Sequence, residues 1–196
     1  MTVILDYGMG NLRSVQQALT AVDCRSAVQS NLVGASRLII PGVGAFGAAM
    51  ERLGPIASDI RKAAADGMPI LGLCLGQQLL FETSEERGSH AGLGLLEGTV
   101  VYMQPKSGIK IPHVGWNALH YLRNDGPMAD GREGEQVYFV HSLVTVCNDP
   151  SDVLATTTHG VEIAAAVGRR NVWGCQFHPE KSGAIGLRML RRFVEC

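Results

Sequence analysis

Apolar positions repeat differently in the two halves of the chain, and the repeat predicts which elements form. In the first half, short continuous apolar runs alternate with helical stretches. Thr2–Leu5 reads as a strand and residues 7–10 as a tight loop. Asn11 is placed to cap a helix whose apolar positions Leu12, Val15, Ala18, Leu19 and Val22 follow helical spacing. Residues 38–40 form a second apolar strand, stopped by Pro41-Gly42. Helical stretches follow over Phe46–Leu53 and about 56–65. Residues 69–73 give a third strand, and 75–81 another helix. The second half shows short strands at 99–103, 137–140, 144–147, 153–157, 163–167 and 172–177. A polar, Gly-rich stretch over 124–134 reads as a surface loop. The last helix spans about 183–194, with Ile185, Leu187, Leu190 and Val194 expected inward and Arg188, Arg191 and Arg192 outward. Apolar strands separated by helices predict an α/β fold: a central mixed, largely parallel sheet with helices on both faces.

At 196 residues the chain is expected to form one domain, large enough to bury a core without staples. Lys plus Arg number 17 against 18 Asp plus Glu, a net charge of −1, which argues against a nucleic-acid or anionic-membrane binder. Five cysteines, an odd number with no C-x-x-C pair, argue against a disulfide framework or a zinc site, and the remaining histidines show no metal spacing. The start carries no secretory signal, and no apolar run reaches the ~18 residues a membrane span needs. The expectation is a cytoplasmic globular protein with no cofactor; a Walker A glycine loop is missing. Glycine is abundant, 24 residues, which predicts tight turns or backbone held close to a ligand.

The chemistry concentrates in three places. Gly72-Leu73-Cys74-Leu75-Gly76 lies between an apolar strand and a helical stretch and has the form of a nucleophile elbow with Cys in the Ser position. A sharp turn lifts the side chain clear of the sheet, and the following helix points its positive end at the sulfur. The competing reading of Cys74 is a small buried hydrophobe. A cysteine nucleophile needs a base and a group to orient it. His178-Pro179-Glu180 supplies both, because Pro179 biases His178 toward extended backbone, where residues i and i+2 project to the same side. Pro41-Gly42-Val43-Gly44 follows a strand end. Alone it is a turn; beside a thiol nucleophile, its backbone N–H groups and that of Leu75 form a candidate oxyanion hole.

These motifs, in this order across nearly the whole chain, resemble the class I glutamine amidotransferases, whose fold is flavodoxin-like. Asp6-Tyr7-Gly8-Met9-Gly10-Asn11-Leu12 and Pro112-His113-Val114-Gly115-Trp116-Asn117 narrow the resemblance to the glutaminase subunits that serve imidazole glycerol phosphate synthesis in histidine biosynthesis. The resemblance implies Cys74 as nucleophile, His178 as acid/base and Glu180 as its partner. It implies oxyanion stabilisation at Gly42, Val43 and Leu75, and glutamine contacts at Gln78, Glu86, Ser142 and Leu143. Gln77 stands where the family usually has Met, and Leu143 where an aromatic is usual, leaving Leu143 a backbone role. The implied partner is a (β/α)8-barrel cyclase that takes the ammonia and makes imidazole glycerol phosphate and AICAR, in a heterodimer with Asn11, Trp116 and Lys181 at the interface. A glutaminase active without an acceptor would waste glutamine, so low activity is expected of the isolated chain, with the Gly42-Val43 peptide as candidate switch because glycine permits backbone angles other residues resist. The alternatives are a glutaminase of the pyridoxal phosphate, tryptophan or purine pathway, another cysteine hydrolase of the superfamily, or a binding module with a decayed triad.

Overall fold

The structure is a computed structural model describing residues 1–104 and 107–196. In chain order the strands are β1 (Thr2–Leu5), β2 (Ser26–Gln29), β3 (Arg37–Ile40), β4 (Ile70–Leu73), β5 (Phe81–Ser84), β6 (His90–Ala91), β7 (Leu96–Tyr102), β8 (His113–Ala118), β9 (His120–Tyr121), β10 (Gln136–His141), β11 (Leu143–Cys147), β12 (Val153–His159), β13 (Val161–Arg169) and β14 (Val172–Cys175). The helices are α1 (Leu12–Thr20), α2 (Phe46–Leu53), α3 (Ala57–Ala65), α4 (Leu75–Leu79) and α5 (Gly183–Glu195).

Eight strands form the main sheet in the order β2-β1-β3-β4-β14-β13-β12-β9. Pairings from β2 to β14 are parallel, and those from β14 to β9 antiparallel. The mixed, largely parallel sheet read from the apolar runs is therefore present. Alternation along each strand splits the core in two. Val3, Leu5, Leu38, Ile40 and Ile70 pack with Phe46, Leu53 and Ile60 of α2 and α3. Ile4, Ile39, Leu71 and Leu73 pack with Val15 and Leu19 of α1 and with Met189, Leu190 and Phe193 of α5. Helices thus cover both faces. Two smaller sheets, β10-β8 and β11-β7-β5-β6, stand apart from the main one.

Several expectations need correction. The helix after Cys74 ends at Leu79, and Phe81 begins β5, because Leu80 already turns back to hydrogen-bond Gln77 while residues 81–84 pair with β7. The inward stripe of α5 is Gly186, Met189, Leu190 and Phe193, spaced i, i+3, i+4, i+7. Gly186 leads it because a Cβ there would meet the Pro179 carbonyl at 1.9 Å, a contact that hydrophobicity does not register. Ile185, Leu187 and Val194 flank the stripe half-buried, and Arg188 bonds Glu135 rather than standing free. The stretch 124–134 contains a 3-10 turn, Gly126–Met128, that buries Met128. β14 stops at Cys175, before Phe177. Strands β2, β5, β6, β8 and β9 add to the elements the apolar pattern predicts; they are short or half exposed, with weak alternation.

Asn11 does cap α1, its side chain accepting from the Ser14 N–H at 3.3 Å. All five cysteines are free thiols. Among the described residues no helix is long and apolar enough to cross a membrane.

Close backbone contacts make Gly76 the least replaceable residue of the sheet-to-helix turn. A Cβ there would lie 1.7 Å from the Ile40 carbonyl, whereas one at Gly54, which has helical backbone, meets nothing within 4 Å. Gly76→Ala is expected to cost about 3 kcal/mol or more, and Gly54→Ala to gain nothing, since a Cβ in helical backbone directly before Pro55 is crowded by the proline ring. Urea denaturation midpoints check both.

Candidate active site

β4 and β14 lie side by side with Leu73 opposite Cys175, and the Cys74 N–H donates to the Cys175 carbonyl at 2.7 Å. This pairing joins the elbow at the end of β4 to the His178 segment after β14. Cys74 has φ 53° and ψ −107°, a left-handed conformation that a non-glycine residue adopts at a cost of order 1–3 kcal/mol. It is held there by its neighbours. A Cβ at Gly72 would fall 2.4 Å from the Gly76 carbonyl, so chain and helix pass too close for side chains on either flank.

His178 Nδ1 bonds Glu180 Oε1 at 2.7 Å, with both side chains almost fully buried. The i, i+2 convergence read from the His-Pro-Glu run is thus realised, although Pro179–Lys181 is a 3-10 turn rather than extended chain. His178 Nε2 has no ordinary hydrogen-bond partner among the described residues and is left to the Cys74 thiol. Burial alone pulls the imidazole pKa down. The interactions with Cys74 and with Glu180 outweigh it and lift the pKa to about 9. The ring is therefore an imidazolium at neutral pH. The segment is anchored by the His178 N–H, which donates to the Tyr138 carbonyl at 2.9 Å, and by Ser182 Oγ, which donates to the His178 carbonyl at 2.7 Å.

Cys74 opens onto a cavity of about 240 Å³. Val43 and Gly44 line one side, Leu75 and Gln78 the elbow side, and Val140 through Leu143 the other. Ser142 and Leu143 thus line the same cavity as Cys74. Leu143 acts through its carbonyl, which accepts from His141 Nδ1 at 2.8 Å and lies 3.5 Å from Gln78 Nε2. His141 also contacts His113 Nδ1 through Nε2 at 3.0 Å, and burial, against the Leu143 hydrogen bond, pushes its pKa down to about 4. It is a neutral bracing group. Leu75 opens α4, whose first N–H groups have no partners within the helix, so its amide is available at the cavity wall.

Two site residues differ from expectation. Glu86 does not line the cavity; its Oε2 accepts from the Phe46 N–H at 2.5 Å and caps α2. At Gly42 the left-handed backbone is missing; it occurs at Gly44, with φ 109°. In this state it is crowding that requires glycine at 42. A Cβ there would meet Tyr7 Oη at 2.5 Å and Leu75 Cβ at 2.9 Å. Tyr7 belongs to the site as well: its hydroxyl donates to the Pro41 carbonyl at 2.6 Å and fixes the strand end before Gly42. No local signal gives a contact across 34 residues. Gln77, the departure from the family pattern, is wholly buried and donates to Thr145 Oγ1 at 3.1 Å, tying α4 to β11.

The interface candidates Asn11, Trp116 and Lys181 are all exposed. Lys181 Nζ lies 5.9 Å from the Tyr138 ring centroid, and the Trp116 and Tyr138 rings meet edge-on at 6.0 Å.

The family pattern described as glutamine amidotransferase class-I matches residues 3–196. The imidazole glycerol phosphate synthase subunit HisH of Geobacillus thermodenitrificans is 47% identical over 203 residues, covering 99% of this chain and 95% of the relative. Its Aquifex aeolicus counterpart is 47% identical over 198 residues, covering 98% and 95%. A crystal structure of a glutamine amidotransferase superposes with a TM-score of 0.77 at 21% identity, covering 99% of this chain and 97% of that one. PurLQS from Thermotoga maritima superposes at 0.74 with 25% identity, covering 99% and 96%. An elbow cysteine beside a His–Glu pair is therefore set in a chain that shares its fold and nearly half its sequence with known proteins along almost its full length: it belongs to the class I glutamine amidotransferases, among the HisH subunits of imidazole glycerol phosphate synthase.

Proposed function

We propose that the whole chain, 1–196, is one glutaminase domain that hydrolyses glutamine to glutamate and ammonia and passes the ammonia to a cyclase subunit making imidazole glycerol phosphate and AICAR. The observation that carries this reading is the buried His178–Glu180 pair at 2.7 Å, set beside Cys74 at the mouth of a cavity sized for one amino acid. Cys74 Sγ attacks the δ-carbonyl of glutamine. The oxyanion is met by backbone N–H groups at Gly42, Val43 and Leu75. His178 protonates the departing ammonia, and Glu180 keeps the ring oriented and charged. Water activated by His178 then opens the thioester. Gln78, Ser142 and the Leu143 backbone hold the substrate's own backbone groups. Glu86 contributes by fixing the start of α2, beside Gly44, and meets the α-amino group only if it leaves its cap.

The partner is a (β/α)8-barrel cyclase, and the surface that fits it is the outer face of β8 and β10. Val114 pairs with Val140 and Trp116 with Tyr138, and these side chains face away from the buried His113 and Phe139. Val114 and Trp116 are more than half exposed, an apolar patch continuous with Val43 at the cavity mouth. Lys181 stands at its edge on the Tyr138 ring, one residue from Glu180. The loop carrying Asn11 sits on the oxyanion segment, since Gly10 packs on Pro41 and Met9 on Gly44. Docking here would cap the cavity and press on both the triad and the oxyanion segment.

Cys74→Ala is expected to abolish glutamine-dependent turnover in the assembled enzyme and to leave ammonium-dependent cyclisation intact. Retained ammonia release from glutamine would remove Cys74 as the nucleophile. The raised pKa of His178 sets the alkaline limb. The proton needed by the leaving ammonia is present below about pH 9 and lost above it, so kcat/KM should fall with a midpoint near 9. Glu180→Gln removes a group that raises the pKa, and should move that midpoint to lower pH. Trp116→Ala should weaken assembly by about 2 kcal/mol, roughly thirtyfold in Kd by titration calorimetry. The isolated chain should show little glutaminase activity, and Lys181→Ala should reduce the stimulation on assembly with acceptor ligand.

A further inference from the structure

Gln176 directly follows β14, two residues before His178, and is wholly buried. Its backbone stays in the sheet, the N–H donating to the Ala165 carbonyl at 2.9 Å. Its side chain turns toward the elbow. Oε1 accepts from Gln78 Nε2 at 3.0 Å, and Nε2 lies 3.8 Å from Cys74 Sγ, a donor distance for sulfur.

An amide has a donor end and an acceptor end, and only its partners tell which way it points. Here they fix it. The Leu143 carbonyl accepts and cannot donate, so Gln78 turns its Nε2 toward it. The same nitrogen donates to Gln176, which answers with Oε1. That leaves Gln176 Nε2 facing the sulfur, and Nε2 can only donate. Donation therefore runs outward from Gln78 Nε2, to the Leu143 carbonyl on one side and through Gln176 to Sγ on the other; the Val140 carbonyl, also 3.8 Å from Sγ, can only accept from the protonated thiol. A thiol accepts weakly, whereas hydrogen bonds to ionised groups are about twice as strong as neutral ones.

We propose that Gln176 is a further catalytic residue of the glutaminase site, its side-chain amide donating to Cys74 Sγ and holding the sulfur as the thiolate that attacks glutamine. This rests on the glutaminase reading and deepens it. In the attack a sulfur lone pair forms the S–C bond and the carbonyl electrons move to oxygen. When the carbonyl re-forms, the C–N bond breaks and nitrogen takes the His178 proton. In the thioester the sulfur has lost its charge and accepts only weakly. When water adds and the S–C bond breaks, the electron pair returns to sulfur, and the Gln176 donor stabilises that departure. Gln78 links the donor to the substrate pocket, so one hydrogen-bonded run serves both binding and attack.

The test is the rate of Cys74 alkylation by iodoacetamide against pH, on the full chain, with the modified peptide followed by mass spectrometry. Gln176→Met keeps the volume and removes the donor. It should slow alkylation at neutral pH at least about tenfold, the size of one hydrogen bond to a charged group, and move the midpoint of the pH profile upward. Gln176→Glu presents oxygen to the sulfur and should move it further. An unchanged midpoint in folded Gln176→Met overturns the proposal. Should both variants fail to fold, the unmutated 15N-labelled chain still decides: alkylating Cys74 should shift the Gln176 side-chain amide resonance, and an unmoved resonance overturns the proposal. Slower alkylation in Gln176→Met, with no ammonia from glutamine in the wild-type assembly, would leave the thiolate donor standing and remove the glutaminase reading. Full glutaminase activity with an unmoved alkylation profile would do the reverse.

Discussion

The parallel pairing of β4 with β14, in one register, is the constraint on which the rest of the site depends. It sets Leu73 opposite Cys175, so the residues that follow, Cys74 on one strand and Gln176 to Glu180 on the other, leave the sheet at the same edge. A slip of one residue would send every side chain of one strand to the opposite face. The sulfur and the imidazole would then lie on different sides of the sheet. The register is held by burial on both faces, since Ile70 packs under α2 and α3 while Leu71 and Leu73 pack under α1 and α5.

The elbow turns the chain out of that register at Cys74 and sets its side chain at the cavity. Its left-handed φ at Cys74 is unfavourable by itself and persists because the neighbouring contacts leave no room to relax. Gly72 and Gly76 are small because carbonyl oxygens sit where their Cβ atoms would be. Gly42 obeys the same rule, crowded by Tyr7 and Leu75. Much of the glycine excess at this site is thus a matter of space, with left-handed backbone confined to positions such as Gly44.

Electrostatics then decide what the buried groups carry. Burial disfavours charge on both His178 and His141, yet the two histidines end in opposite states. His178 has Cys74 and Glu180 as partners and rises. His141 falls because burial outweighs its hydrogen bond to the Leu143 carbonyl, and the titratable groups that act on it are other histidines. One becomes an acid, the other a strut. The strut belongs to β10, whose outer face with β8 forms the exposed apolar patch, and Val140 of that patch lines the same cavity as His141.

The sequence by itself determined the main alternation of strands and helices, the elbow, the His-Pro-Glu pair and, through its resemblance, the family. Those features are local: apolar period, glycine spacing and a proline next to a histidine act within a few residues. What only the tertiary structure decided is long-range. The contacts of Gln176 with Gln78 and Cys74, of Tyr7 with Pro41 and of Glu86 with Phe46 join segments between 34 and 102 residues apart. Neither hydrophobic period nor turn chemistry encodes such meetings, because they follow from strand order in the sheet. The α5 stripe shows the same limit on a small scale. Gly186 faces inward since the Pro179 carbonyl comes within 1.9 Å of where its Cβ would be, and no property of glycine in isolation marks it as a core residue.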